Sequence, residues 1–193
     1  MFYPINLKID DMKIVIIGGG KVAYRKCMNF LAFNKKVLVV SKEFVEGFEE
    51  IKNQVEIIKD FYDEKYIKDA FVVVAATNNK EVNHQIGTYC RQHNKLVNVV
   101  DDKELSNFTV PSFVKRGDLL LSVSTGGKSP SLSSKIRKDL EEVYDDSYEE
   151  YVKLLGEARE MIIENTSDIK ERRKRLKELL DLSFDELRTI IKL

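Results

Sequence analysis

Neither sign of charge dominates this chain, since 32 lysines and arginines stand against 32 aspartates and glutamates. That balance argues against a generic polyanion binder, which needs a basic excess. No apolar run approaches the roughly 20 residues a membrane span requires, so no membrane partner is expected. The opening MFYPINLKIDD lacks the basic-then-apolar layout of a secretory leader, and a cytoplasmic protein is expected. Cysteine occurs only twice, at Cys27 and Cys90, without a CxxC partner, which points to reduced, buried thiols rather than disulfides. His84 and His93 have no acidic or thiol companion at ligand spacing, so no built-in metal site is expected.

The first hundred residues alternate between strand and helix. KIVIIG (13–18), KVLVVS (36–41), VEIIKDF (55–61), FVVVAAT (71–77) and LVNVV (96–100) read as strands, the first three as buried ones. Helical spacing runs from Val22 to Leu31, through DEKYIKDA, and over 79–93. Alternation of this kind predicts an α/β fold, a doubly wound Rossmann-type parallel sheet. After Asp101 the rhythm changes. FTVPSFVK (108–115) and DLLLSVST (118–125) predict a hairpin turning at Arg116-Gly117. Ser129-Pro130 opens a helix, and two further helices are expected behind capping boxes at Ser147/Glu150 and Ser183/Glu186. Tyr148, Val152, Leu155 and Ala158 form the expected inner face of the first of these, and 165–168 breaks the tail. The expected domains are 1–112 for the nucleotide, 113–145 as a connector, and 146–193 as a small helical domain.

Gly18-Gly19-Gly20-Lys21-Val22-Ala23 fits G-x-G-x-x-G/A between a buried strand and a helix. The pattern implies a pyrophosphate on the helix N-terminus, hence a dinucleotide cofactor, NAD or NADP. The usual acid at the end of strand two is missing, because Ser41-Lys42 stands there and Glu43 comes late. Ala76, Thr77 and Asn78 close strand four and should line the cofactor crevice, with Asn98 and Asp101 beside them at strand five. A carboxylate there is placed for proton transfer, which makes Asp101 the candidate catalytic residue. Asp102 follows immediately, and the alternative reading is that both aspartates merely start a turn.

GGGKVAYRK, AATNNKEVN, NVVDD, FTVPSFVKRGDLLLSVSTGGKSP and SSKIRKDLEE together closely resemble the precorrin-2 dehydrogenase family, over roughly residues 1–145. The resemblance implies NAD-dependent oxidation of precorrin-2 to sirohydrochlorin, with ferrous-iron insertion as a second activity of some members. It implies a homodimer exchanging the segment 113–145, cofactor contacts at Gly18–Ala23, Lys42-Glu43 and Ala76–Asn78, and a key acid at Asp101. A substrate with eight carboxylate arms needs basic groups and backbone amides. Arg25, Lys26, Lys115, Arg116 and the loop Thr125, Gly126, Gly127, Lys128, Ser129 are the candidates. Thr125 stands where some members carry a serine that can be phosphorylated. A nucleotide sensor without catalysis is the rival reading. The basic run RRKRLK (172–177) lies among acids and reads as a solvated face, so no nucleic-acid partner is expected.

Overall fold

The computed structural model describes residues 2–191; positions 192 and 193, the end of the expected tail, lie outside them. The chain forms two compact units, one closing at Thr109 and one beginning at Val110.

The first unit runs β1 (Ile14–Ile17), α1 (Lys21–Leu31), β2 (Leu38–Ser41), α2 (Gly47–Glu50), β3 (Glu56–Lys59), α3 (Glu64–Ile67), β4 (Val72–Ala75), α4 (Lys80–Gln92) and β5 (Leu96–Val99). Its sheet is parallel throughout, in the order β3-β2-β1-β4-β5. The α/β reading therefore holds. The chain moves outward from β1 to β3 and then returns to place β4 beside β1, so the topological switch lies between those two strands. That is where open sheets of this kind hold ligands, outside the carboxyl ends.

Every residue of β1 and β4 is buried, which is why both read as unbroken apolar runs. Ile14, Ile16, Val39, Val72 and Val74 face Ala23 and Cys27 of α1. Val15, Ile17, Val40, Val73, Ala75 and Val97 face Ile86 and Cys90 of α4. Each such aliphatic side chain contributes about 1.5–3 kcal/mol by leaving water. The third strand differs from its expectation. It lies at the sheet edge, with Ile57 and Ile58 half-buried and Glu56 and Lys59 exposed. The other edge is closed by the chain itself, as Val97 N–H donates to Asn107 Oδ1 (2.8 Å) and Val99 N–H to Ser106 Oγ (2.9 Å).

The second unit has β6 (Ser112–Arg116) paired antiparallel with β7 (Leu119–Val123), then α5 (Pro130–Val143), α6 (Ser147–Asn165), α7 (Ile169–Glu178), a 3-10 turn at Leu179–Asp181, and α8 (Phe184–Ile191). The hairpin forms, but one residue later than the sequence suggests. Arg116 pairs with Leu119, so the turn is Gly117-Asp118, with Gly117 at φ +56°. Pro111, which has no N–H for a ladder, stays outside the strand. The first expected capping box is replaced. Asp145 Oδ1 accepts from the Ser147 N–H (3.0 Å) and hydroxyl (2.5 Å), so Ser147 is already inside α6. The inner face of α6 is Tyr151, Leu154, Leu155, Ala158 and Ile162, packed with Leu179 and Leu187, rather than a face that includes Val152.

The second capping box forms as expected, with Ser183 N–H donating to Glu186 Oε2 (2.8 Å) and Glu186 N–H to Ser183 Oγ (3.4 Å). The Ser183 hydroxyl and N–H hold the Glu186 carboxyl below its ordinary value of 4.5. A carboxyl lowered by folding stabilises the fold above its unfolded value, and that contribution is lost as pH falls through the folded one. Ser183→Ala should lower the melting midpoint of the helical unit by about 5 °C at neutral pH. The difference between parent and variant should shrink as pH falls below the ordinary carboxyl value of 4.5, read by circular dichroism melts. An unchanged gap at acid pH would show that Glu186 takes no part.

Candidate active site

The three glycines meet three different surroundings. Gly18 sits at φ +124°, and a Cβ on it would lie 2.2 Å from the Ala76 carbonyl oxygen at the end of β4. Its N–H donates to Val40 O at 2.8 Å, so the first glycine seats the turn between two neighbouring strands. Gly19 has ordinary φ but no room, with a Cβ falling 2.1 Å from the Glu43 carbonyl oxygen. Its own carbonyl accepts from Val45 N–H at 2.9 Å, locking the loop after β2 beneath the turn. Gly20 is the helix N-cap and meets nothing within 4 Å. Without a side chain it offers no cap, so the first-turn N–H groups of α1 point at open space. No acid occupies that turn to compete for them. A diphosphate fits this arrangement by charge and by donor count. Ala23 behind it is fully buried against the sheet. Lys21 and Val22 complete the exposed start of α1.

At the end of β2, Lys42 and Glu43 are exposed. The Lys42 ammonium lies 4.2 Å from the Phe61 ring centroid, turned toward β3. Arg25 is exposed on α1, while Lys26 is half-buried, and burial first, then Arg25, pushes its amine below the ordinary range. Burial pushes the thiols of Cys27 and Cys90 up to about 11, which keeps both protonated and unreactive at neutral pH.

The ends of β4 and β5 are joined by a residue that sequence reasoning missed. Asn83, fully buried on α4, accepts at Oδ1 from the Thr77 N–H (3.0 Å) and hydroxyl (2.7 Å). Its Nδ2 donates to the Thr77 carbonyl (3.1 Å) and to Asp101 Oδ1 (3.1 Å). The amide's two donors and two acceptor sites are thus all used. Thr77 also accepts from Asn79 N–H at 3.1 Å, and Asn79 caps α4 through Glu81 and Val82. Asn78 lies between them, exposed, and Ala76 is buried beneath the turn. A signal for Asn83 was present: it shares the inner face of α4 with Ile86, Gly87 and Cys90, one polar position in an apolar stripe.

Asp101 is exposed just beyond β5, beside Lys80, Glu81, His84, Gln85 and Asp102 in an open groove. No hydrogen bond to its Oδ2 is found among the described residues. Asp102 is the turn-former: its Oδ1 accepts from the N–H groups of Glu104 (2.9 Å) and Leu105 (3.1 Å). Among the described residues no three His, Cys, Asp or Glu side chains are grouped to hold a metal, and no helix is long and apolar enough to cross a membrane.

The remaining candidates belong to the second unit. Arg116 Nε lies 3.1 Å from Asp146 Oδ1, and its Nη1 donates to the Lys115 carbonyl at 3.0 Å. Lys115 is half-buried on β6. In the loop before α5 the Thr125 hydroxyl accepts from Ser129 N–H and donates to Ser129 O, both at 3.1 Å. Gly126 and Gly127 take φ +61° and +80°, and Lys128 N–H closes on Thr125 O at 3.1 Å. Ser129 Oγ caps α5 by accepting from Leu132 N–H at 3.3 Å.

Comparison with known proteins gives a consistent picture. A family model for NAD(P)-binding domains matches residues 5–112, and one described as the central part of a sirohaem biosynthesis protein matches 116–142. The chain is 33% identical to the precorrin-2 dehydrogenase of Methanosarcina barkeri, across 93% of this chain and 83% of that protein. It is 30% identical to the sirohaem synthase of Pseudoalteromonas translucida, across 90% of this chain, and spans 37% of that longer protein's length. The solved structure of SirC, a precorrin-2 dehydrogenase, superposes with a TM-score of 0.78 at 28% identity, covering 99% of this chain and 98% of that one.

Proposed function

Because the chain belongs to the precorrin-2 dehydrogenase and sirohaem synthase family, we propose that it oxidises precorrin-2 to sirohydrochlorin with NAD as acceptor. The observation that carries this reading is the gathering of the glycine turn, the end of β4 and Asp101 at the carboxyl edge of one sheet. The open first turn of α1 behind Gly20 takes the diphosphate, with Lys21, Val22 and Ala23 following it. Lys42 and Glu43 flank the adenosine ribose, and Ala76, Thr77 and Asn78 line the crevice toward the reacting end. Bound there, NAD supplies the hydride acceptor.

Loss of two electrons from the macrocycle releases a hydride and a proton. Asp101 takes the proton at its uncommitted carboxylate oxygen while Asn83 occupies the other. For the substrate's carboxylate arms the first unit offers Arg25 and Lys26, and the second, taken by itself, offers Lys115 and the amide-rich loop Thr125–Ser129. Arg116 joins them only by leaving Asp146. In iron insertion, the same Asp101 oxygen would accept one pyrrole proton at a time and release it to water before taking the second. The two unpaired cysteines suit a reducing, cytoplasmic setting.

The working form is a homodimer built through residues 113–145, behind the NAD-binding domain 1–112 and ahead of the helical domain 146–193. The β6-β7 sheet packs on α5 and α6 of its own unit, yet Leu119, Leu120 and Leu121 stay only half-buried, apolar surface that a second copy would cover. Sedimentation should return twice 22.3 kDa; a monomer at working concentration would remove the dimer from the proposal. The reaction itself is tested by anaerobic incubation of precorrin-2 with NAD, following sirohydrochlorin absorption. NAD binding without product would mark a nucleotide sensor instead.

A further inference from the structure

The buried amide between β4 and β5 has a consequence for the chemistry. We infer that Asn83 is a positioning residue, which fixes the Asp101 carboxylate for proton transfer by donating one N–H to it while anchoring the same amide on Thr77. The inference rests on the dehydrogenase reading above and adds a residue to its machinery.

Three observations carry it. First, Asn83 is fully buried although polar, a placement costly unless every hydrogen-bonding group is matched. All of them are matched, three bonds to Thr77 and one to Asp101. Second, the Thr77 bonds determine which end of the amide faces Asp101. The Thr77 N–H can only donate, so Oδ1 must face it and Nδ2 is left for the carboxylate. An amide flip would put oxygen against carboxylate and nitrogen against N–H, breaking both contacts. Third, Asp101 lies past the last hydrogen-bonded residue of β5 and is exposed. No other side chain among the described residues bonds its carboxylate. Without Asn83 it would rotate freely, and a displacement of about 1 Å at a reacting group can cost on the order of 10²-fold in rate.

Asn83 touches neither NAD nor the macrocycle in this reading, so its effect should separate from binding. Asn83→Asp keeps the shape and the acceptor facing Thr77 while placing an oxygen where Nδ2 met Asp101. Asn83→Ser removes the amide, with its contacts to both Asp101 and Thr77, without adding charge, and serves as the kcat test if the first variant melts before assay temperature. In both, kcat for precorrin-2 should fall about tenfold or more. In Asn83→Asp, which keeps the acceptor facing Thr77, the dissociation constant for NAD and the KM for precorrin-2 should stay within about twofold of the parent. Turnover at the parental rate by either folded variant overturns the inference and leaves the dehydrogenase reading standing. So does an NAD affinity that falls in step with kcat in Asn83→Asp, because Asn83 would then act on the cofactor side through Thr77. No product from the parent overturns the dehydrogenase reading and this inference together.

Discussion

Asp101→Asn should leave NAD bound and slow precorrin-2 oxidation by about 10²–10⁴-fold, the range that removal of a general base commonly costs. The variant keeps the volume and one acceptor oxygen, so the fold and the adjoining turn survive. It loses the oxygen charge that takes the proton. Among the carboxylates of the groove, Asp102 is the obvious substitute, yet its Oδ1 is already held by the N–H groups of Glu104 and Leu105. Asp102→Asn retains that acceptor and should change turnover less than about threefold. The pair of variants therefore separates two adjacent aspartates by role. Comparable losses from both would mean that the site needs negative charge in the groove rather than a base at one position. A parental rate for Asp101→Asn would move the base elsewhere.

Gly18→Ala and Gly20→Ala, two positions apart, should fail in opposite ways. At Gly18 the new methyl would lie 2.2 Å from the Ala76 carbonyl, on a backbone held at φ +124°. Neither β4 nor the turn can give way without breaking the ladder between β1 and β4. The strain and the clash together should destabilise the domain by about 3 kcal/mol or more, enough to lower its melting midpoint by well over 5 °C. At Gly20 the methyl meets nothing within 4 Å, and φ −81° suits any residue. Its fold should melt like the parent. Its NAD affinity should drop tenfold or more, because the methyl occupies the space through which the diphosphate reaches the helix N-terminus. Calorimetric titration with NAD checks both, alongside thermal melts. Full NAD affinity in folded Gly20→Ala would place the diphosphate away from this turn.

The contrast between the glycines also shows what a linear sequence can and cannot convey. The motif and its flanking strand and helix are legible because they are local. So are β1 and β4, since strands buried on both faces must be apolar at every position. The reason for Gly19 is not local: the Glu43 carbonyl that excludes a side chain there arrives from the next strand's loop. The third strand misleads for a related reason. VEIIKDF is apolar enough for a core, and only the sheet order reveals that it lies at an edge. The four-residue α2 is too short to show a period, and it rests on Phe48, which packs edge-to-face on Tyr24 and Phe44. Ser147 carries the spacing of a capping box, but Asp145, two residues earlier, offers a stronger acceptor and takes the turn. At the candidate site, Asp101 draws notice by its place after LVNVV, whereas its link to Asn83 spans 18 positions and leaves only an asparagine in an apolar stripe.

The most direct test of the whole account is the stoichiometry of one anaerobic reaction. Purified protein, precorrin-2 and NAD are mixed, and NADH and sirohydrochlorin are followed together by their separate absorption bands. The account predicts one NADH for each sirohydrochlorin, with both absent when NAD is omitted. NAD that binds but is never reduced while precorrin-2 persists would contradict it, and would leave a nucleotide-binding domain whose work lies elsewhere.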